Sequence, residues 1–215
     1  MVTGFIFDLD GVITDTAEYH YRAWKKLAEE EGLPFTRQDN EQLRGVSRRE
    51  SLRRLLKGKA VDEATAEAWM TRKNAYYQTF LATMTPDDLL PGAQAFLETA
   101  RAAGIKVGLA SASRNARSVL INLQITPLFD VIGDGYVVIN TKPAVDLFVW
   151  VAGGLRLPVT RCVVFEDAEA GVEAARQAGM ACVGIGPQER VGRAQLVCNG
   201  LHELVVERAL RLVEG

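Results

Sequence analysis

The chain begins with an uncharged, largely apolar run, Val2 to Phe7, and its hydrophobic pattern then changes period. Val-Thr-Gly-Phe-Ile-Phe is short, β-branched and aromatic, as a strand buried on both faces requires. From Ala17 to about Leu81 the apolar positions recur at helical spacing instead. That spacing predicts helices over Ala17 to Glu31, Ser47 to Lys57 and Asp62 to Leu81. Asp15 and Glu18 are spaced as a capping box for the first of these, Gly32 is its stop, and Asp62 is the N-cap of the third. No strand is predicted in this stretch, which Pro86 and Pro91-Gly92 bring to an end.

Beyond Gly92 short apolar runs alternate with helical segments. Strands are predicted at Ile105 to Ala110, Val131-Ile132, Cys162 to Phe165 and Cys182 to Ile185. Helices are predicted at Ala93 to Ala103, Ala116 to Leu123, Ala144 to Leu155, Ala168 to Ala178 and Leu201 to Leu212. Such alternation implies an α/β fold, a doubly wound, mostly parallel, Rossmann-like sheet core with an inserted all-helical cap domain. The core is expected to comprise residues 1–15 and 89–215, and the cap residues 16–88.

Composition narrows the function classes. With 215 residues the chain can bury one core and carry an insertion. A net charge of -2 offers no global field for nucleic acid or anionic membranes. No apolar run approaches the roughly 18 residues of a membrane span. A strand starting at Val2 leaves no length for a signal peptide, and Cys162, Cys182 and Cys198 show no CxxC spacing. Buried reduced thiols in a cytoplasmic protein are expected, and nothing requires more than a monomer.

The chemistry collects at strand ends. Asp8 and Asp10 follow the first strand, two residues apart on one side of the chain. Paired anions cost free energy unless a cation or a shared proton compensates, and a divalent metal is the simplest remedy. A turn that happens to carry two acids is the bland alternative. Ser111-Ala112-Ser113-Arg114-Asn115 ends the strand at Ala110 where a helix begins, and reads as an anion site or as a plain helix cap. Lys142-Pro143 precedes another helix; a lone loop lysine is usually solvated. Glu166-Asp167 closes the strand Cys162 to Phe165. A single parallel sheet gathers all these ends onto one rim, where Mg²⁺ with a substrate phosphate would suit the acids.

Asp8-Leu9-Asp10-Gly11-Val12, Ser111, Lys142-Pro143 and Glu166-Asp167 with Gly171 resemble the signature motifs of haloacid-dehalogenase-type phosphotransferases. The likeness extends through Phe7 to Thr16, His20, Gly45-Val46-Ser47-Arg48, Arg72-Lys73-Asn74 and Ala110 to Ser113 with Asn115, and fades after about Gly186. The cap residues point to the sugar-phosphate mutases of that family. Ala168, Val145 and Arg114 depart from its pattern, where Ser, Pro and Lys are commoner.

The resemblance implies roles. Asp8 would be the nucleophile and Asp10 the general acid and base. Mg²⁺ would be held by Asp8, the Asp10 backbone carbonyl, Glu166 and Asp167, with Ser111 and Lys142 on the transferring phosphoryl oxygens. Gly45, Val46, Ser47, Arg48 and Lys73 from the cap would bind substrate, as would Ala112, Ser113, Arg114 and Asn115 from the core. Thr16 and His20 would link cap position to Asp10. The implied reaction interconverts β-D-glucose 1-phosphate and D-glucose 6-phosphate, with glucose 1,6-bisphosphate as phosphorylating primer. A Mg²⁺-dependent sugar-phosphate phosphatase and a non-enzymatic binding relative are the alternatives.

Other residues read more blandly. Lys73 has snorkelling past the cap core as its alternative. Arg44, Arg49, Arg53, Arg54, Lys57 and Lys59 read mostly as a solvated helix face, and His202 as a surface residue. Pro187 to Gly215 carries no nameable chemistry, and Gln188 to Arg193 reads as a solvated loop or edge.

Overall fold

The structure is a computed structural model that describes residues 2–213. β1 (Gly4–Phe7) leads through the Asp8–Asp10 loop into α1 (Ala17–Glu30), α2 (Arg37–Glu41), α3 (Arg48–Leu56) and α4 (Glu63–Leu81). There follow α5 (Ala93–Ala102), β2 (Lys106–Ala110), α6 (Ala116–Asn122), β3 (Val131–Gly133), α7 (Asp146–Gly154) and β4 (Cys162–Glu166). α8 (Glu169–Gln177), β5 (Ala181–Ile185), α9 (Gln188–Val191), β6 (Leu196–Cys198) and α10 (Val206–Leu210) complete the chain.

The strands form one six-stranded, all-parallel sheet in the order β3-β2-β1-β4-β5-β6. Successive connections run outward in opposite directions from β1 and β4, so the carboxyl ends of these two neighbours flank the switch point where open α/β sheets take ligands. β1 is buried throughout, and its residues alternate between layers. Phe5 and Phe7 join Phe96 and Phe165 on one face, with Phe7 and Phe165 stacked at 4.4 Å. Ile6 joins α7 and α8 on the other. Each aromatic pair adds about 0.5–1.5 kcal/mol beyond its area burial, which anchors the strand whose end carries the acids.

The helices α1 to α4 form a cap with its own core of Trp24, Leu27, Phe35, Leu52, Leu55 and Met70. Ser47 and Asp62 cap α3 and α4 by accepting from Glu50 N at 3.2 Å and Thr65 N at 2.8 Å. The Asp15–Glu18 capping box does not form. Thr16 occupies the N-cap position without a side-chain cap, because its hydroxyl is committed to Asp10; Glu18 instead pairs with Arg22 and Arg37.

Three C-terminal features differ from the sequence expectation. β6 is an edge strand of three half-buried residues, too short to show a period. Gln188 to Val191 is a helical turn, not a loop. Leu201 to Leu212 is not one helix but a 3₁₀ turn, Leu201–Glu203, followed by α10. Leu201, Leu204, Val206 and Ala209 are all buried, and the two-residue step from Leu204 to Val206 cannot stay on one helix face. Cys162 and Cys182 are buried free thiols, and Cys198 is half-buried. Among the described residues, no helix is long and apolar enough to cross a membrane.

Candidate active site

The strand ends do converge. Asp8 follows β1, Glu166 ends β4 and Asp167 follows it; all are buried, with carboxylate oxygens within 4.8 Å of one another. Two glycines permit this approach. A Cβ on Gly11, at φ +81°, would lie 2.3 Å from Asp167 Oδ2, and one on Gly171 would lie 2.0 Å from Glu166 Cδ. Burial and the neighbouring Asp8 charge push Asp167 up to about 7. Burial also pushes Glu166 up to about 8, against the pull of Lys142. An all-oxygen donor set, buried and with its carboxyl groups pushed up by burial and mutual repulsion, fits Mg²⁺.

Lys142 is the fixed cation of this cluster. Its ammonium donates to Asp8 Oδ1 and to Glu166 Oε2, the latter at 2.6 Å, and lies 4.9 Å from the centre of the Phe148 ring. Burial alone would lower its pKa, but Asp8 and Glu166 outweigh that and hold it above the ordinary lysine value. The solvated-lysine alternative therefore fails. Ser111, buried after β2, accepts from Ser113 N at 3.1 Å, which leaves its own proton to donate. Asn115 N donates to Ser113 Oγ at 3.2 Å, so the loop's hydroxyls organise its own backbone at the start of α6.

Asp10 has another setting. Its carboxylate is not among the three clustered acids; Oδ1 accepts from the Thr16 hydroxyl, which itself accepts from Tyr77 OH at 3.1 Å. Burial, and then the Asp8 charge, push Asp10 up to about 6. Of the cap residues, Lys73 is buried, with Nζ 2.8 Å from His20 Nδ1 and lying over the Trp24 and Tyr77 rings at 5.0 and 4.8 Å. Snorkelling is excluded. Burial and the charges of Lys73 and Arg48 push His20 well below its ordinary value. The neutral ring offers one nitrogen as donor and the other as acceptor, and Nδ1 is the one that meets Lys73.

The cap and the core enclose a cavity of about 770 Å³, counted to its open mouth, lined by Asp8, Asp10, His20, Arg48, Lys73 and Ser111 among others. Gly45, Val46, Ala112, Ser113, Arg114 and Asn115 line it too, whereas Ser47 serves as a helix cap; Thr16 bonds to lining Asp10, Lys142 to lining Asp8, and Glu166 to Lys142. Arg114 lies 5.0 Å from the Tyr136 ring.

Two site residues escaped the sequence reading. Arg44 is not part of a solvated face: its Nη1 donates to Asp167 Oδ2 at 3.1 Å and its Nε to Glu41 at 2.9 Å, crossing from cap to core. Its adjacency to Gly45-Val46-Ser47-Arg48 was the available signal. Arg190, in the segment with no expected chemistry, donates from Nε to the Asp167 carbonyl at 2.6 Å and lies 3.7 Å from its carboxylate. Nothing in the local pattern announces that contact. Arg49 and Arg53 are exposed and paired with glutamates, as expected of a helix face, and His202 is exposed.

A parallel sheet with an acidic trio at its switch point, a buried lysine between two of the acids and a helical cap over them define a phosphoryl-transfer class of protein. A family model described as haloacid dehalogenase-like hydrolase matches residues 2–179, and the chain belongs to that family. Among individual proteins it is 43% identical to β-phosphoglucomutase of Bacillus subtilis (strain 168), over 94% of this chain and 91% of that one. A solved β-phosphoglucomutase structure from Clostridium difficile superposes with a TM-score of 0.95 at 40% identity, covering 99% of this chain and 97% of that one. A phosphorylated carbohydrates phosphatase of Thermotoga maritima is 32% identical over 81% of each chain.

Lys73 gives a test that needs no substrate. Burial and Arg48 hold its pKa well below the usual lysine value, so its charge opposes folding. Lys73→Met keeps the contacts with Trp24 and Tyr77 and removes the buried amine, and is expected to raise Tm at pH 7 by a few degrees. In the parent, the unfolded chain binds the extra proton, so parental stability rises with pH up to the unfolded lysine value of about 10.4. The gap between variant and parent is therefore expected to close as pH rises, and thermal melts from pH 7 to pH 10 measure it.

Proposed function

We propose that the protein is an isomerase that interconverts β-D-glucose 1-phosphate and D-glucose 6-phosphate through an aspartyl-phosphate enzyme and a β-glucose 1,6-bisphosphate intermediate. The observation that carries this reading is a single cavity that holds two sets of polar groups. Asp8, Asp10 and Ser111 are one set, and Arg48, Arg114 and Asn115 are the other. A substrate that carries two phosphates at once uses both sets. A phosphatase needs only the first set.

Asp8 attacks the phosphorus of the bisphosphate primer while Asp10 protonates the departing sugar oxygen. Asp10 then takes the proton of the 6-hydroxyl of β-glucose 1-phosphate as that oxygen attacks the phosphoryl group on Asp8. The bisphosphate turns end for end, Asp8 takes the other phosphoryl group, and glucose 6-phosphate leaves. Ser111 and Lys142 hold the moving phosphoryl oxygens, and Arg48 with Asn115 holds the phosphate that stays. Asp8, the Asp10 carbonyl, Glu166 and Asp167 would hold Mg²⁺, which would supply screening of the negative charge brought together there.

Residues 16–88 act as the cap and residues 1–15 with 89–215 as the core, closing on the sugar to keep water from the acyl phosphate. Tyr77, Thr16 and Asp10 form a continuous hydrogen-bonded path from cap helix to acid/base, so cap position reaches Asp10 directly. Chelation with EDTA is expected to abolish turnover and lower Tm, and added Mg²⁺ to restore both.

A phosphorus NMR time course tests the reading, with β-glucose 1-phosphate, Mg²⁺ and a trace of glucose 1,6-bisphosphate. Glucose 6-phosphate with little inorganic phosphate is the expected outcome. Mostly inorganic phosphate would instead make the protein a sugar-phosphate phosphatase.

A further inference from the structure

Consecutive residues of α4 take different partners. Lys73 turns to His20. Asn74 turns the other way, and its Oδ1 accepts from Arg48 Nη2 at 2.7 Å and from Asn115 Nδ2 at 2.9 Å. Arg48 opens α3 of the cap, whereas Asn115 precedes α6 of the core. An amide oxygen has two lone pairs, and here each takes a donor from a different side of the cavity.

Arg48 itself is arranged for an anion. Its guanidinium is half-buried, and among the described residues no carboxylate forms an ion pair with it. Burial and the like charge of Arg114 disfavour its charge, and an anion between them would relieve both. Asn74 uses one of its five N–H donors and leaves the rest of the fork for a ligand. Because Asn74 is neutral, it orients the guanidinium without competing for its charge as an acid would.

We propose that Asn74 is a positioning residue for the second phosphate: one amide oxygen aligns Arg48 from the cap and Asn115 from the core, so that both converge on the phosphoryl group not being transferred. Convergence requires the cap to be down, which ties retention of the bisphosphate to closure. The inference rests on the isomerase reading, and it goes further by assigning a coupling role to a side chain that touches no reacting atom.

The test uses calorimetric titration of glucose 1,6-bisphosphate, with Mg²⁺ present, into the protein carrying Asp8→Asn, which cannot take up the phosphoryl group. Adding Asn74→Ala is expected to weaken binding roughly tenfold, the scale of one hydrogen bond to a charged group. Adding Asn74→Asp is expected to weaken it further. That variant keeps an oxygen for both donors but sets a negative charge against the phosphate and neutralises Arg48. A merely structural tether would place Asn74→Asp near the parent and Asn74→Ala below it. That order, or equal affinity for all, would overturn the proposal. Failure of Asp8→Asn itself to bind the bisphosphate would also overturn it, and the parent's phosphorus NMR time course then shows whether the isomerase reading falls as well. Should Asn74→Ala not fold, the comparison of Asn74→Asp with its parent decides alone.

Discussion

Lys142→Met is expected to cost about 3–5 kcal/mol of stability in the absence of Mg²⁺, and to abolish most phosphoryl transfer. The side chain is 0% exposed and sits between Asp8 and Glu166, so its removal leaves two buried carboxylates without their cation. Methionine retains the apolar stem against Phe148, so the loss reports charge and not packing. Urea unfolding in EDTA measures the effect. Mg²⁺ is expected to recover part of the stability of the variant, because a divalent cation among Asp8, Glu166 and Asp167 compensates the same anions. It is expected to recover little activity, since nothing then replaces the ammonium in its proposed role at the transferring oxygens. A stability loss below about 1 kcal/mol, the scale of an exposed pair, would contradict the buried-cation account.

Asp10→Ala is expected to lower kcat by about 10²–10⁴, the usual contribution of a positioned general acid and base. Position matters here as much as proton affinity. Asp10 is held by the Thr16 hydroxyl, away from the three clustered acids, and a pKa of about 6 lets it exist in both protonation states near neutral pH. Steady-state assays with β-glucose 1-phosphate should show the loss in kcat with a much smaller change in substrate affinity, because the proposed substrate-binding residues Arg48, Lys73 and Asn115 are left in place. Equal losses in both would mean that Asp10 acts by holding the substrate instead.

Much of this architecture was legible in the chain. Val2 to Phe7 reads as a buried strand because no charged side chain interrupts it, and the acids that follow can only emerge at its carboxyl end. Asp62 is an N-cap in the structure as in the pattern, since that choice is made within three residues of chain. Where a side chain had a competing partner, the local rule failed. Thr16 bonds Asp10 instead of its own helix, and the capping box next to it is lost.

The sequence by itself determined which residue types stand at which strand ends, since element type and motif spacing depend on neighbours along the chain. Only the tertiary structure decided who pairs with whom. Arg190 reaches Asp167 across 23 residues, Arg44 reaches it across 123, and Asn74 meets Asn115 across 41. Lys73 looked like a cation on an apolar stripe until α1 packed against α4 and set His20 and Trp24 around it. Such contacts follow from how the cap seats on the sheet, and a side chain's reach of a few ångströms selects its partner only once that packing exists.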